Sequence, residues 1–213
     1  MIGDAADIKQ EFMPVAKATF ELLRPLVRRK EPLSISIAGE SGSGKTSLSA
    51  NLAWLFEKDG QTVAVFHQDD YYKLPPHDNH LAREADINHV GISEVNLELL
   101  DSHIRASKSY QSTIIKPLVD YKHNVILQET YDCSETNITI AEGTYVSILE
   151  SIDVKIFMER DYHDTKGSRY ERARDPLTPF MEEILLIEHQ IIKNLESLCH
   201  IKIDRDNKVH CKI

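Results

Sequence analysis

Apolar positions along the chain alternate between short β-branched runs and faces with helical three-to-four spacing. Residues 7–29 place Ile8, Phe12, Val15, Thr19, Leu22, Leu23 and Leu26 on one face, predicting an amphipathic helix that Pro14 and Pro25 trim or kink. Leu33–Ala38 is a β-branched run that ends at Gly39 and predicts a strand. Helical spacing returns from Gly44 to about Lys58 and stops at Gly60. Thr62–Phe66 predicts a second strand, which opens into the polar stretch 68–73 and then Pro75-Pro76. Residues 74–92 read as loop, and Ser93 as the N-cap of a helix carrying Val95, Leu97, Leu99, Leu100 and Ile104. Residues 112–131 predict an excursion of paired strands. Buried strands follow at Ile138–Ala141 and Val154–Met158, then a charged segment, 159–175, with almost no apolar content. Thr178-Pro179 opens a long helix to about Leu198, with proline at its first position, and Ile201–Ile203 is the last strand.

Strands that alternate with helices imply parallel crossovers. The expected fold class is α/β: a three-layer sandwich around a mostly parallel five-stranded sheet with helices on both faces, in a single domain spanning 1–213. Ligands in such sheets bind beyond the carboxyl ends of the strands. The most polar residues of this chain follow its first three core strands.

Composition narrows the classes without changing this picture. With 25 basic and 34 acidic residues in 213, the formal net charge is −9, a poor basis for wrapping nucleic acid or lying on anionic lipid, so neither is expected as a partner. No apolar run approaches the ~18 residues that span a bilayer. The start, Met1-Ile2-Gly3-Asp4, has acid where a secretory leader needs base. Cys133, Cys199 and Cys211 form no Cys-x-x-Cys pair and no disulfide framework, so a cytoplasmic setting is expected. The ten histidines show no spacing typical of zinc.

The chemistry concentrates first in Gly39-Glu40-Ser41-Gly42-Ser43-Gly44-Lys45-Thr46, a full match to G-x-x-x-x-G-K-[ST] between a predicted strand and a predicted helix. Gly39, Gly42 and Gly44 let the backbone turn its N–H groups toward one anion, and the helix N-terminus adds partial positive charge. Lys45 suits the β- and γ-phosphates, and the Thr46 hydroxyl suits Mg²⁺. ATP and Mg²⁺ are therefore the expected ligands, on residues 39–46 with Ser47 beside them. Asp69 follows the second strand, placed to accept a proton from an attacking hydroxyl or to hold Mg²⁺ through water; Asp70 should point elsewhere. Glu142 ends the Ile138 strand and suits the acid that fixes Mg²⁺, with Gly143 permitting a tight turn. Arg169, Arg172 and Arg174 could neutralise charge moving between phosphates, or be a solvated salt-bridged loop with Glu159, Asp161, Asp164, Glu171 and Asp175. Asp164-Thr165-Lys166-Gly167 spells the DxxG of GTPases, but inside a charged loop and without an NKxD motif.

These motifs, in this order, resemble the uridine kinases and the related phosphoribulokinase-like P-loop kinases, over about residues 33–204. Gln68–Lys73 is similar to their Asp-Ser-Phe-Tyr stretch, Ala141-Glu142-Gly143 to their Glu-Gly motif, and Glu171–Asp175 to the Arg-Gly-Arg-Asp of their lid, here placed at about 159–175. The resemblance implies Asp69 as catalytic aspartate, Tyr72 on the substrate side, Glu142 at Mg²⁺ and lid arginines near the transferring phosphate. Pro117–His123 resembles the family's Pro-x-Tyr-Asp-x-x-x-His, with Val119 for the tyrosine and the histidine one position early. Asp86–Val90 echoes Asp-His-Pro with Val90 for the proline, and Ile187 stands near the family's base-reading glutamine. His89, Asp120 and His123 are the candidate acceptor contacts beside Tyr72.

The resemblance implies transfer of the ATP γ-phosphate to a hydroxyl of a small molecule, uridine kinase-like. The same fold acting on a sugar, a sugar phosphate or a pantothenate-like alcohol is the nearest alternative. An ATP-binding regulator with slow hydrolysis is the alternative of another class. Homo-oligomer formation is compatible with the acidic surface.

Overall fold

The computed structural model describes residues 2, 8–27, 32–109, 113–167, 169 and 178–212. Its strands are β1 (Leu33–Gly39), β2 (Val63–His67), β3 (Thr113–Asp120), β4 (Val125–Asp132), β5 (Ile138–Gly143), β6 (Val154–Met158), β7 (Ile201–Ile203) and β8 (Val209–Cys211). The α-helices described are α1 (Met13–Val27), α2 (Lys45–Lys58), α3 (Pro76–Ala85), α4 (Leu97–Lys108) and α5 (Pro179–Leu195).

The main sheet runs β2-β5-β1-β6-β7-β8, parallel except for β8. β1 is central and buried throughout, and its side chains divide between the two faces. Leu33, Ile35 and Ile37 join Leu48, Leu52 and Phe56 of α2 and Val15, Phe20 and Leu23 of α1 in one core. On the other face Ala38 and Phe66 pack with Leu100 and Ile104 of α4 and Ile192 of α5. This is the expected α/β sandwich with helices on both faces. Ser34 and Ser36 are buried among these apolar side chains. Ser34 Oγ lies 2.7 Å from Ser151 O and 2.8 Å from Asp153 Oδ2, either of which can take its one proton, and it accepts from Asp153 N at 3.0 Å, which keeps its hydroxyl satisfied. Among the described residues no helix is long and apolar enough to cross a membrane.

The expected paired strands appear as the β3–β4 hairpin, in register from Thr113↔Asp132 to Asp120↔Val125. Four local readings are corrected. The sheet has a sixth strand, β8, whose three residues are too few to establish a period; it holds its place by pairing with β7. Residues 76–85 are helix rather than loop, opened by Pro76 at its first turn. This helix buries Asn79 and points Arg83 inward, so polar rather than apolar residues mark its inner face. The helix after it is capped by Asn96, whose side chain accepts from Leu99 N at 3.2 Å, while Ser93 sits in the preceding 3₁₀ turn. The N-terminal helix begins at Met13, after a 3₁₀ turn at Gln10–Phe12.

The hairpin is tied to the main sheet by Asp70, in the 3₁₀ turn Gln68–Tyr71 after β2. Its Oδ1 accepts from Val119 N at 2.9 Å, and its Oδ2 lies 3.5 Å from Lys116 Nζ, itself 4% exposed. Lys116 also meets Glu129 Oε1 at 2.5 Å, so removing Asp70 leaves Lys116 one acid and leaves the buried Val119 N–H without its acceptor. Asp70→Ala should therefore cost about 1–3 kcal/mol of unfolding free energy in urea titration, with Asp70→Asn, which keeps a carbonyl acceptor, losing less.

Candidate active site

The loop 39–44 joins the central strand to α2, whose N-cap is Gly44 at φ 102°. That left-handed backbone suits glycine alone at little cost, and it turns the chain directly into the helix. Leu48 N donates to Gly44 O at 2.9 Å, the first bond of α2. The N–H groups ahead of that bond have no helical acceptor and form a ready anion site. Ser43 Oγ is also buried, without a hydrogen-bond partner among the described residues.

Parallel pairing places Ile37 opposite Glu142 and Ala38 opposite Gly143, so β5 ends beside the loop. Thr46 Oγ1 donates to Glu142 Oε1 at 3.1 Å, and His67 Nδ1, at the end of β2, lies 2.8 Å from the same oxygen. Burial would raise the Glu142 carboxyl, but His67, Lys45 and Thr46 outweigh it and hold its pKa below the ordinary value. Burial likewise pulls the His67 imidazole down, and the hydrogen bond and charge of Glu142 reverse this, raising it. Gly143 is not in a left-handed conformation. A Cβ there would lie 2.2 Å from Gln68 Cβ, so its smallness admits Gln68 rather than a tight turn. Gln68 Oε1 in turn accepts from Tyr145 N at 2.7 Å.

A cavity of about 480 Å³ opens at these strand ends. Ser41, Gly42, Lys45, Thr46, Asp69 and Glu142 line one part of it. Gly39, Glu40, Ser43, Gly44 and Ser47 do not line it. Lys45 Nζ donates to Glu40 O at 2.8 Å. The Glu40 carboxylate faces away, accepting from Tyr162 N at 2.7 Å and meeting His189 Nδ1 of α5 at 2.6 Å. Thr165 Oγ1 donates to Ser41 O at 2.8 Å. Arg169 lines the cavity while its Nη1 donates to Tyr162 O at 2.7 Å and Thr165 Oγ1 at 2.6 Å. The start of the charged segment is thus folded onto the phosphate loop. Arg172 and Arg174 lie outside the described residues.

Successive residues of a 3₁₀ turn diverge by about a third of a revolution, and here Asp69 lines the cavity while Asp70 reaches the hairpin. The other part of the cavity is built by Tyr72, Asn79, Arg83, Val119, Tyr121 and Glu188, with apolar side chains of α5. Arg83 forks onto the fully buried Glu94 and donates from Nη2 to Glu188 Oε1 at 3.1 Å. Glu94 also accepts from Asn79 Nδ2 at 2.8 Å and Gly91 N at 2.6 Å. Burial and then the Glu188 charge push the Tyr72 hydroxyl well above its ordinary pKa, so it stays protonated.

Of the other acceptor candidates, His89 does not line the cavity; its Nε2 lies 3.2 Å from Asn79 Oδ1, behind the lining. Asp120 and His123 pair with each other in the hairpin turn, Oδ2 to Nδ1 at 2.7 Å, and also stay outside the lining. Val119 and Tyr121, two residues apart on one side of the strand end, line it instead. Ile187 packs with Val90, Met181 and Ile184, and its neighbour Glu188 turns to the cavity. Arg83, Glu94 and Glu188 were not singled out from sequence. Their signal is a base in α3, an acid in the 3₁₀ turn that ends at Glu94 and an acid in α5, which no local pattern distinguishes from ordinary surface charge.

The model of the Phosphoribulokinase / Uridine kinase family matches residues 34–166. A uridine kinase of Clostridium tetani is 32% identical over 138 residues, covering 62% of this chain and 63% of that protein. One of Leuconostoc citreum is 28% identical over 149 residues, covering 68% and 70%. The aligned part of the chain thus spans about 63% of the length of the Clostridium relative. Among solved structures, a possible uridine kinase from Bacillus stearothermophilus superposes with a TM-score of 0.61 at 19% identity, over 85% of this chain and 96% of that one. Phosphoribulokinase from Rhodobacter spheroides gives 0.63 at 15% identity, over 83% and 71%. At these identities the likeness is one of fold.

The His67–Glu142 pair has a pH signature. A raised imidazole pKa adds stability that is complete below the ordinary 6.5 and is lost as pH rises through the raised value. The lowered Glu142 pKa adds stability that is lost as pH falls through it. In urea titrations with chelator, unfolding free energy should fall as pH rises from about 6.5, and His67→Gln should flatten that slope.

Proposed function

Because the chain belongs to the phosphoribulokinase / uridine kinase family, we propose that it is an ATP-dependent kinase that phosphorylates a hydroxyl of a small molecule. The observation that carries this reading is one cavity lined by Lys45 and Thr46 of the phosphate loop, by Glu142, and by Asp69. A nucleotide binder that only switches has no use for a carboxylate that shares one cavity with the phosphate loop and with Tyr72, Arg83 and Glu188.

The residues fit the ligands this requires. The loop N–H groups, Lys45 and Arg169 would hold the triphosphate, and Thr46 with Glu142 would hold Mg²⁺. Mg²⁺ supplies charge neutralisation on the phosphate oxygens. In the proposed step the acceptor oxygen forms a bond to the γ-phosphorus as the bond to the β-bridging oxygen breaks. The acceptor proton passes to Asp69, and the electron pair of the broken bond stays on ADP. Lys45 and Arg169 neutralise charge on the moving group. The pocket wall of Tyr72, Asn79, Arg83, Tyr121 and Glu188 orients the acceptor. A uridine kinase-like acceptor is favoured by the relatives that bear that name.

The test is ADP release with MgATP against nucleosides, sugars, sugar phosphates and pantothenate. One acceptor should stimulate release, and Asp69→Asn should lower that rate by about 10²–10⁴ while leaving MgATP affinity near wild type. Basal release unchanged by every acceptor would favour the regulator instead.

A further inference from the structure

The N-terminal segment touches the nucleotide loop directly. A Cβ built on Gly44 would lie 2.2 Å from Phe12 Cζ and 2.3 Å from Cε1, so the phenyl ring fills the space where a side chain would stand. Gly44 has its carbonyl committed to Leu48 N, and it does not line the cavity. The ring covers the remaining side of this residue. Phe12 is itself 7% exposed, within the core shared with Leu48, Leu52 and Met158.

The segment carrying Phe12 is fixed by a second device. Asn51, six residues after Lys45 and fully buried, pairs with the main chain of Lys9 on both sides. Lys9 N donates to Asn51 Oδ1 at 3.1 Å, and Asn51 Nδ2 donates to Lys9 O at 2.8 Å. Phe12 N then donates to Lys9 O at 3.0 Å, closing the 3₁₀ turn that aims the ring. Among the described residues this buried amide meets only this backbone, and it would be left unsatisfied without the segment. The helix that follows lies along α2, with Phe20 edge-on to Phe56 at 5.0 Å.

We infer that residues 9–12 are part of the nucleotide site and that Phe12 is a positioning residue for it. The ring holds Gly44 in its left-handed conformation and thereby holds the N–H groups at the start of α2 on the phosphates. Gly44 has no side chain with which to hold itself, and a φ of 102° is one of several that glycine adopts freely. Anion binding by backbone N–H groups depends on those groups being aimed before the ligand arrives. The inference rests on the nucleotide-site reading of residues 39–46.

Phe12 and Phe20 make the control internal. Both are aromatic, belong to the same core cluster and are similarly buried, at 7% and 8%, but Phe20 contacts the far end of α2. The experiment measures MgATP affinity by titration calorimetry on the full chain, at a temperature where circular dichroism shows each variant folded. Phe12→Ala should weaken MgATP binding by about tenfold. Phe20→Ala should lower Tm by a similar amount yet bind MgATP within about twofold of wild type. Phe12→Leu, which keeps part of the cover, should fall between, and it serves alone if Phe12→Ala does not fold. Unchanged affinity in the Phe12 variants, or an equal loss in Phe20→Ala, would overturn the inference while leaving the kinase reading intact. Failure of the wild-type chain to bind MgATP would overturn both.

Discussion

The parallel register between β1 and β5 is the constraint on which the site depends. It sets Ala38 beside Gly143 and Glu142 one residue short of the strand end. A slip of one residue would turn every side chain of β5 to the other face. Glu142 would then leave Thr46 and His67, and Ile138 and Ile140 would leave the core they share with α2. The apolar residues at 35, 37, 138 and 140 hold the register through burial, and the geometry at the strand ends is inherited from them. The same argument explains Gly143. The strand can end beside the loop only if Gln68 is admitted, and a methyl group there would collide with it.

The two parts of the cavity are built from different materials. The nucleotide part is main chain, with a few side chains anchored on strand ends and a helix N-terminus. The pocket beside Tyr72 is made of side chains, and its centre is a buried ionic cluster. Arg83, Glu94 and Glu188 come from three separate elements, and each charge is expensive to remove from water. The cluster is tolerable because Glu94 also takes hydrogen bonds from Asn79 and the Gly91 backbone. Such a cluster fixes the relative positions of α3 and α5, and it offers directional polar groups at their inner faces.

This difference in material also governs what the sequence reveals. The phosphate loop, Asp69 and Glu142 were legible because main-chain chemistry demands glycines at set spacing and because strand ends are marked by β-branched runs. The core strands and α2 were legible for the same reason. Helix α3 was not, since its inward face is polar and its apolar period is absent. β8 was not, since three residues carry no alternation and depend on β7 for their place. The acceptor wall was legible only in part. Tyr72 lines the cavity, but Asp120 and His123 satisfy each other in a turn. Tyr121 stands at the wall beside Val119, where the family pattern has its tyrosine at position 119. Tyr121 lies one residue past the end of β3, so an aromatic group reaches the wall from the hairpin turn.

Asp69 and Asp70 show how one short turn serves both parts. The 3₁₀ geometry sends one carboxylate into the cavity and the next to Val119 N and Lys116 of the hairpin. The hairpin in turn carries Val119 and, just beyond it, Tyr121 to the cavity wall. The residue proposed to take the acceptor proton and the strand that helps wall the acceptor are therefore positioned by adjacent peptide units. Their separation is set by local backbone geometry, whatever the chemistry of the remaining wall. Side chains of that wall can change, as Val119 differs from the family pattern, without moving Asp69 relative to the phosphate loop. A fold wired in this way can keep one phosphoryl-transfer geometry while the acceptor varies, because the groups that read the acceptor are not the groups that hold the register.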